Sequence, residues 1–102
     1  MNDDAVEALA KLTQLRTLRL FALPITDQQI RRLAGLPALQ KLDLSGCDKM
    51  TDAALDSLAR SEKLTWLSVA GTNLSPEAIR KFRTLRPRVE VVNSMLAAHK
   101  TH

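Results

Sequence analysis

Leucines recur along this chain at a nearly constant interval, and polar residues alternate with them over short stretches. The clearest copy of the pattern is LPALQKLDLSGCDKMTD, residues 36–52, and related segments are LTQLRTLRLFALPITD and EKLTWLSVAGTNLSP. Equivalent leucines, such as Leu18, Leu42 and Leu67, are 24 and 25 residues apart. A fixed interval of about 20 to 29 residues indicates a stacked array of structural repeats.

Each unit has a strand half followed by a helix half. In the first unit, Leu18 and Leu20 alternate with Thr17 and Arg19, which is typical of a strand with one buried face. In the second half of each unit, apolar residues three positions apart predict one face of a helix. These apolar pairs are Ile30 and Leu33, Leu55 and Leu58, and Ile79 and Phe82.

Residues that favour helix starts precede each of these apolar pairs. Thr26 and Gln29 have the spacing of a capping box, Thr51 is followed by Asp52, and Ser75 is followed by Pro76 at the first helical position. Gly35 is placed to end the second helix. A unit is therefore predicted to run from strand through turn to helix.

The same frame extends to both ends of the chain. Val6 and Leu9 lie 24 residues before the apolar pair of the next helix, which predicts that the chain opens with a helix. The segment RPRVEVVN predicts a fourth strand, with Val89 and Val91 directed inward.

We therefore predict one α/β domain at residues 1–94, in which helices join four strands into a parallel sheet. Its parts are a helix half-unit at 2–11, repeats at about 12–35, 36–60 and 61–85, and a closing strand at 88–93. Residues 95–102 form a C-terminal tail.

The segment LQKLDLSGC, followed by KMTD and a helix, resembles a leucine-rich repeat of the cysteine-containing or ribonuclease-inhibitor-like type, found in F-box adaptors and many bacterial repeat proteins. FRTLRPRVEVV is similar to the closing segment of such bacterial arrays. The resemblance covers about residues 3–92 and implies a solenoid of about three full repeats, with the sheet on the concave face and the helices on the convex face. Leu23 and Thr72 occupy positions where the family has Cys or Asn, so we expect packing or a hydroxyl hydrogen bond to hold those turns.

Composition fits one small domain in a reducing compartment. The chain has 102 residues, 45% of them hydrophobic, and a net charge of +4. Its apolar runs are far shorter than the roughly 20 residues of a membrane span, and its N-terminus is acidic, unlike a signal peptide. The single cysteine, Cys47, has no internal disulfide partner. A cytoplasmic protein is the expectation.

Candidate catalytic and metal-binding groups are few. We expect Cys47 to pack beneath a turn and donate its S–H to the backbone, because the only histidines, His99 and His102, lie in the tail. Two histidines do not complete a metal site. The three glycines do not form a phosphate-binding loop. The sequence thus predicts no enzyme activity, no metal and no cofactor.

The acidic residues also have structural roles in this frame. Asp27 and Asp52 fall in the first turns of helices, where a negative charge complements the helix dipole. Asp43 lies beside Arg19 of the neighbouring strand, so we expect a cross-strand ion pair.

Strand alternation identifies an exposed face of the sheet, and we propose it as a protein-binding surface. We call this set of side chains the sheet face: Thr17, Arg19, Phe21, Lys41, Asp43, Ser45, Trp66, Ser68 and Glu90. Exposed aromatic and Arg side chains are favoured anchors in interfaces. Alternatively, Trp66 is covered by the Lys41 stem or by Met95 and Leu96 of the tail, and Phe21 packs into a turn. The function favoured is protein recognition or scaffolding, within a larger protein or assembly if the face alone is too small.

The alternative function is binding of nucleic acid or another polyanion through the segment RKFRTLRPR. Its cations are Arg80, Lys81, Arg83, Arg86 and Arg88. Phosphate binding requires such a cluster. Against this reading, Phe82 and Leu85 are expected in the core, and cations near a helix C-terminus stabilise the helix itself.

Overall fold

Helices and strands alternate throughout the computed structural model, which describes residues 1–93. The elements are α1 (Asp3–Ala10), β1 (Thr17–Arg19), α2 (Asp27–Leu33), β2 (Lys41–Asp43), α3 (Ala53–Leu58), β3 (Trp66–Ser68), α4 (Pro76–Leu85) and β4 (Glu90–Val92). The four strands form one parallel sheet in the order β1-β2-β3-β4. The predicted α/β architecture is confirmed, and the predicted tail lies outside the described residues.

Equivalent residues of successive strands lie side by side in the sheet. Leu18, Leu42, Leu67 and Val91 form one row, and the first three are buried. Glu90 is exposed and aligned with the residues that precede the leucines. The predicted phase of the last strand is therefore correct.

The second unit is one residue longer than the others, and the extra residue falls in an exposed turn. Two residues, Asp48 and Lys49, separate Cys47 from the next buried apolar residue, where one residue suffices in the first and third units. Both side chains are exposed. The pairing of β2 with β3 is unaffected because the insertion lies between strand and helix.

The core is a stack of apolar side chains between the sheet and the helices. The three predicted apolar pairs of the helices are all buried. Cys47 is fully buried, and its Sγ donates to the carbonyl of Leu20 in the preceding unit at 2.9 Å. Burial raises the pKa of this thiol, which keeps it protonated at neutral pH. Cys47 is thus a packing residue, as predicted.

The two other turns differ at the position of Cys47. The Thr72 hydroxyl donates to the carbonyl of Val69 at 2.6 Å, which matches the expected hydroxyl bond. Leu23 is 38% exposed, so packing holds that turn only in part.

A left-handed residue follows each of the first three strands. These equivalent residues are Ala22 with φ of 57°, Gly46 with 75° and Gly71 with 71°. The Ala22 N–H donates to Ser45 O at 2.8 Å, and the Gly46 N–H donates to Ala70 O at 2.7 Å. A Cβ at Gly46 would lie 3.4 Å from the Ala22 Cα. The turns therefore stack closely, and the first unit adopts this conformation without a glycine.

We expect Ala22→Gly to stabilise the domain by about 0.5 to 1 kcal/mol, because glycine removes the left-handed strain. Gly46→Ala should destabilise it by about 1 to 2 kcal/mol through the same strain. Urea unfolding of both variants measures these changes. Gly35→Ala is the matched control, since Gly35 has no positive φ. Equal effects of the two Gly→Ala changes would contradict this explanation.

All three predicted helix starts have a side-chain cap, and at the third the Ala53 N–H donates to Thr51 Oγ1 at 3.3 Å. The Gln29 N–H donates to Thr26 Oγ1 at 3.3 Å, and Gln29 Oε1 accepts from the Thr26 N–H at 3.1 Å, which completes the capping box. Ser75 Oγ accepts from the Ala78 N–H at 3.1 Å. The prediction for Gly35 was wrong: α2 is capped by Ala34, and Gly35 follows it in an ordinary conformation.

The third start differs because its carboxylate binds the next unit. Asp52 is the N-cap residue of α3 but makes no side-chain cap bond to that helix. Its two oxygens accept from the N–H and the hydroxyl of Ser75 at 2.9 and 2.8 Å. Asp27 likewise accepts from the N–H and hydroxyl of Thr51 at 2.7 and 2.5 Å. Both residues lie at helix starts as predicted, and they have a further role that was not predicted, since their carboxylates join consecutive helix starts.

These hydrogen bonds make stability depend on acidic pH. The Ser75 backbone N–H, followed by its hydroxyl, lowers the pKa of Asp52 from its ordinary value of 3.8. Because the folded state favours the carboxylate, its contribution to stability is present above about pH 4 and is lost as pH falls through the lowered pKa.

We expect Asp52→Asn to lower the free energy of unfolding near neutral pH and to flatten its decline below about pH 4. An amide offers one acceptor oxygen where the carboxylate uses two. Urea unfolding across this pH range measures both effects. Asp56→Asn is the control, because Asp56 lies in the same helix and its carboxylate makes no hydrogen bond within residues 1–93. A decline of unchanged slope in Asp52→Asn would contradict the assignment.

Candidate binding site on the sheet face

The exposed side of β1, β2 and β3 carries a shallow pocket of about 140 Å³. Its lining consists of Thr17, Leu18, Arg19, Lys41, Asp43 and Trp66. Five of these six were predicted for the sheet face. The structure therefore brings five of the nine predicted residues together around one concavity.

Parallel pairing places these side chains in two rows. Thr17, Lys41, Trp66 and Glu90 are paired in register across the four strands. Neighbouring strands lie about 4.8 Å apart, so a single extended segment of a partner can contact several members of a row. Lys41 and Glu90 are exposed on either side of the half-buried Trp66.

Trp66 is the aromatic centre of this site. Its side chain is half-buried beside Lys41, which agrees in part with the alternative that the Lys41 stem covers it. The alternative involving Met95 and Leu96 lies outside the described residues. Trp66 lines the pocket, so part of its ring is available for contact.

The predicted ion pair between Arg19 and Asp43 was wrong. The two residues are paired in register, but within residues 1–93 their charged groups do not form a salt bridge. Asp43 Oδ1 instead accepts from the Ser45 N–H at 2.9 Å. The carboxylate is engaged by its own turn, which leaves the exposed Arg19 guanidinium available to a partner.

Ser45 and Ser68 were also placed wrongly by strand alternation. They are 6% and 3% exposed, and their hydroxyl oxygens lie 2.6 Å apart in a hydrogen bond. Both side chains are short, and each hydroxyl satisfies the hydrogen-bonding capacity of the other. The two residues are therefore buried near the ends of β2 and β3. Neither is accessible to a partner.

Phe21 does not pack into a turn. It follows β1 and is 59% exposed. It therefore extends the accessible aromatic surface beyond the pocket.

The basic segment divides into structural and free cations. The Arg86 guanidinium donates to the carbonyls of Ala59, Ser61, Glu62 and Leu64 at 2.7 to 3.3 Å. Arg83 donates to Val91 O at 3.0 Å. Arg86 is thus held by the fold, whereas Arg83 is exposed and makes one such bond, and polyanion binding by this segment stays a prediction.

Four of the five cations, Arg80, Lys81, Arg83 and Arg88, are exposed and remain for the polyanion alternative. Leu85, expected in the core, is 55% exposed because it lies at the C-terminal end of α4.

We expect Arg86→Lys to destabilise the domain by about 2 kcal/mol, because an ammonium cannot reach four carbonyls as the planar guanidinium does. Thermal or urea unfolding measures the loss. Arg88→Lys is the matched control, because Arg88 is exposed. If the two substitutions cost the same, the carbonyl contacts of Arg86 do not stabilise the fold.

Two further observations limit the chemistry of the described residues. Across positions 1–93, no three His, Cys, Asp or Glu side chains lie together in a group that could hold a metal ion. In the same part of the chain, no helix has the length and apolar character needed to cross a membrane.

Comparison with known proteins gives a likeness in structure. No family model and no curated protein sequence matches the chain. A solved structure described as leiomodin-1 actin-binding site 2 matches with a TM-score of 0.68, at 13% sequence identity, over 90% of this chain and 62% of the other. That domain is built of leucine-rich repeats. This chain has the leucine-rich-repeat fold.

The leucine-rich-repeat domain spans less than two thirds of the leiomodin chain. Its fold confirms the resemblance seen in LQKLDLSGC. At 13% identity the likeness shows the fold alone.

Proposed function

We propose that this leucine-rich-repeat domain is a protein-recognition module, and that its sheet face binds the partner. The supporting observation is the pocket shared by Arg19, Lys41 and Trp66. The two cations make no side-chain hydrogen bond or ion pair within residues 1–93, and they stand on neighbouring strands, β1 and β2, that are hydrogen-bonded to each other. Preformed and unpaired groups of this kind require little rearrangement on binding.

The pocket indicates the chemistry of the partner segment. An apolar or aromatic side chain would stack on the Trp66 ring, and a carboxylate would accept from Arg19 or Lys41. Arg19 and Lys41 carry two positive charges against the one negative charge of Asp43, so this end of the face is net positive. Glu90, on the far side of Trp66, favours a basic residue further along the same segment.

The sheet face alone is smaller than a standard protein interface. Four short strands at about 4.8 Å spacing offer on the order of 250 Å², whereas a standard interface needs roughly 800 Å² from each partner. The turns that follow the strands must therefore contribute. Phe21, in the first of these turns, is the exposed aromatic residue placed to do so.

The partner is a protein in this proposal, and the domain is a non-enzymatic scaffold. The name of the leiomodin structure makes actin one defined protein to test. A buried, free Cys47 is compatible with a reducing compartment, so we place the domain in the cytoplasm.

We expect Trp66→Ala and Lys41→Glu each to weaken binding of a selected partner at least about tenfold, as loss of an anchoring side chain does. Peptides selected from a displayed library against the wild-type domain, together with purified actin, supply the ligands. Titration of each variant measures the dissociation constants.

Lys63→Glu is the matched control, because it makes the same charge change at an exposed residue away from the sheet face. Lys41 is also exposed, so Lys41→Glu should leave thermal stability unchanged. Ligands that bind both sheet-face variants as tightly as the wild type would refute the proposal.

A further inference from the structure

The first unit exposes apolar side chains that the interior units bury. Leu12 is 50% exposed and Leu23 is 38% exposed. Their equivalents in the second unit, Leu36 and Cys47, are 3% and 0% exposed. Cys47 reaches back to the Leu20 carbonyl of the preceding unit. Side chains at this position are therefore directed toward a preceding unit, and Leu23 is directed out of the N-terminal end of the array.

Helix α1 presents a second apolar row at the same end. Ala5 and Ala8 of α1, together with Leu12 two residues beyond its end, are all exposed. The residues 24 positions later include Gln29 and Arg32, which contact the preceding helix. Gln29 Nε2 donates to Asp3 at 3.1 Å, and Arg32 forms a two-bond ion pair with Glu7 at 2.6 and 2.7 Å. The Ala5, Ala8 and Leu12 row thus faces the place of a preceding helix.

The opposite end carries the complementary charge. Helix α1 contains three acidic residues and no basic one, whereas the segment from Pro76 to Arg88 contains five basic residues and one acidic residue. Arg80 is exposed and occupies the position that Glu7 has in α1, on the side of the helix that faces the next unit. Asp4 and Arg80 are therefore exposed at the two ends with opposite charge.

Among residues 1–93, the two outer strands have matching unpaired edges. Leu20 and Ala22 donate their N–H groups to β2, so the alternating Thr17 and Arg19 backbone groups face the open edge of β1. In β4, the Glu90 N–H and the Val92 carbonyl bond to the third unit, so the Val91 backbone faces outward. Inside the sheet, each strand pairs with the next one through the same two sets of backbone groups.

We propose that a second copy of this chain docks head to tail, with α4 and β4 of one copy against α1 and β1 of the next. Helix α1 would then take the place of the helix that follows β4 in the repeat pattern, and the sheet would continue through the Val91 and Arg19 edges. By equivalence with the Glu7–Arg32 pair, Arg80 would face Ala8, one helical turn from Asp4. In the column of equivalent residues, Leu12 of one copy would follow the 55% exposed Leu85 of the other.

The size of the end faces makes this association weak. The shorter extents of the molecule, 25 Å each, give an end face on the order of 600 Å², so about 1,200 Å² is buried in all, the lower limit of a standard interface. The two contact surfaces differ, so the contact is heterologous and leads to open chains rather than a closed dimer.

Sedimentation equilibrium of the full chain, from about 10 µM to about 1 mM, tests the proposal. The weight-average mass should rise with concentration from the 11.3 kDa monomer past that of a dimer, and the rise should be smaller at about 0.5 M salt. Leu12→Lys and Arg80→Glu should each weaken association at least about tenfold. Combining Asp4→Arg with Arg80→Glu should restore it, because the charges are exchanged.

Lys63→Glu, with the same charge change as Arg80→Glu but away from both ends, should associate like the wild type. Trp66→Ala should do so as well, which separates this proposal from recognition at the sheet face. A monomeric mass at every concentration would overturn the proposal. A mass that stops at the dimer, or Leu12→Lys and Arg80→Glu variants that keep their fold and associate normally, would also overturn it.

Discussion

Each strand–helix unit of this domain can bury its leucines only against the unit beside it. The contacts between elements reflect this constraint, since every strand pairs with its sequence neighbours and every helix packs on the next one. Backbone ladders, the carboxylates of Asp27 and Asp52 and the Cys47 thiol all join adjacent units. Stability is therefore shared along the stack rather than concentrated in a central core.

The same constraint explains what could be predicted from the sequence. A repeating interval determines register, so the four strands, the inward rows and the phase of Val91 followed from spacing alone. The side-chain bonds of Asp52 and Arg86 did not, because each reaches a residue more than 20 positions away whose place is known only after stacking. The equivalent positions of Asp27 and Asp52, each directly after a threonine at a helix start, are the sequence signal for this link between units.

The candidate site was predicted in outline and corrected in detail. Alternation along a strand tells which way a side chain points, and it placed Arg19, Lys41 and Trp66 correctly. It does not tell whether a short side chain is covered, as Ser45 and Ser68 are, or whether a carboxylate is satisfied by its own turn, as Asp43 is. These local bonds decide which charges of the sheet face remain unpaired. The result is a face with two free cations beside an aromatic ring.

The longer turn of the second unit shows where this architecture tolerates change. One extra residue at Asp48 and Lys49 is absorbed in solvent, and the strands on either side keep their alignment. The length of a turn between strand and helix can therefore change without altering the register of the strands. The turns between strand and helix can acquire new sequence, and with it new contacts, while the stacked leucines that hold the units together remain unchanged.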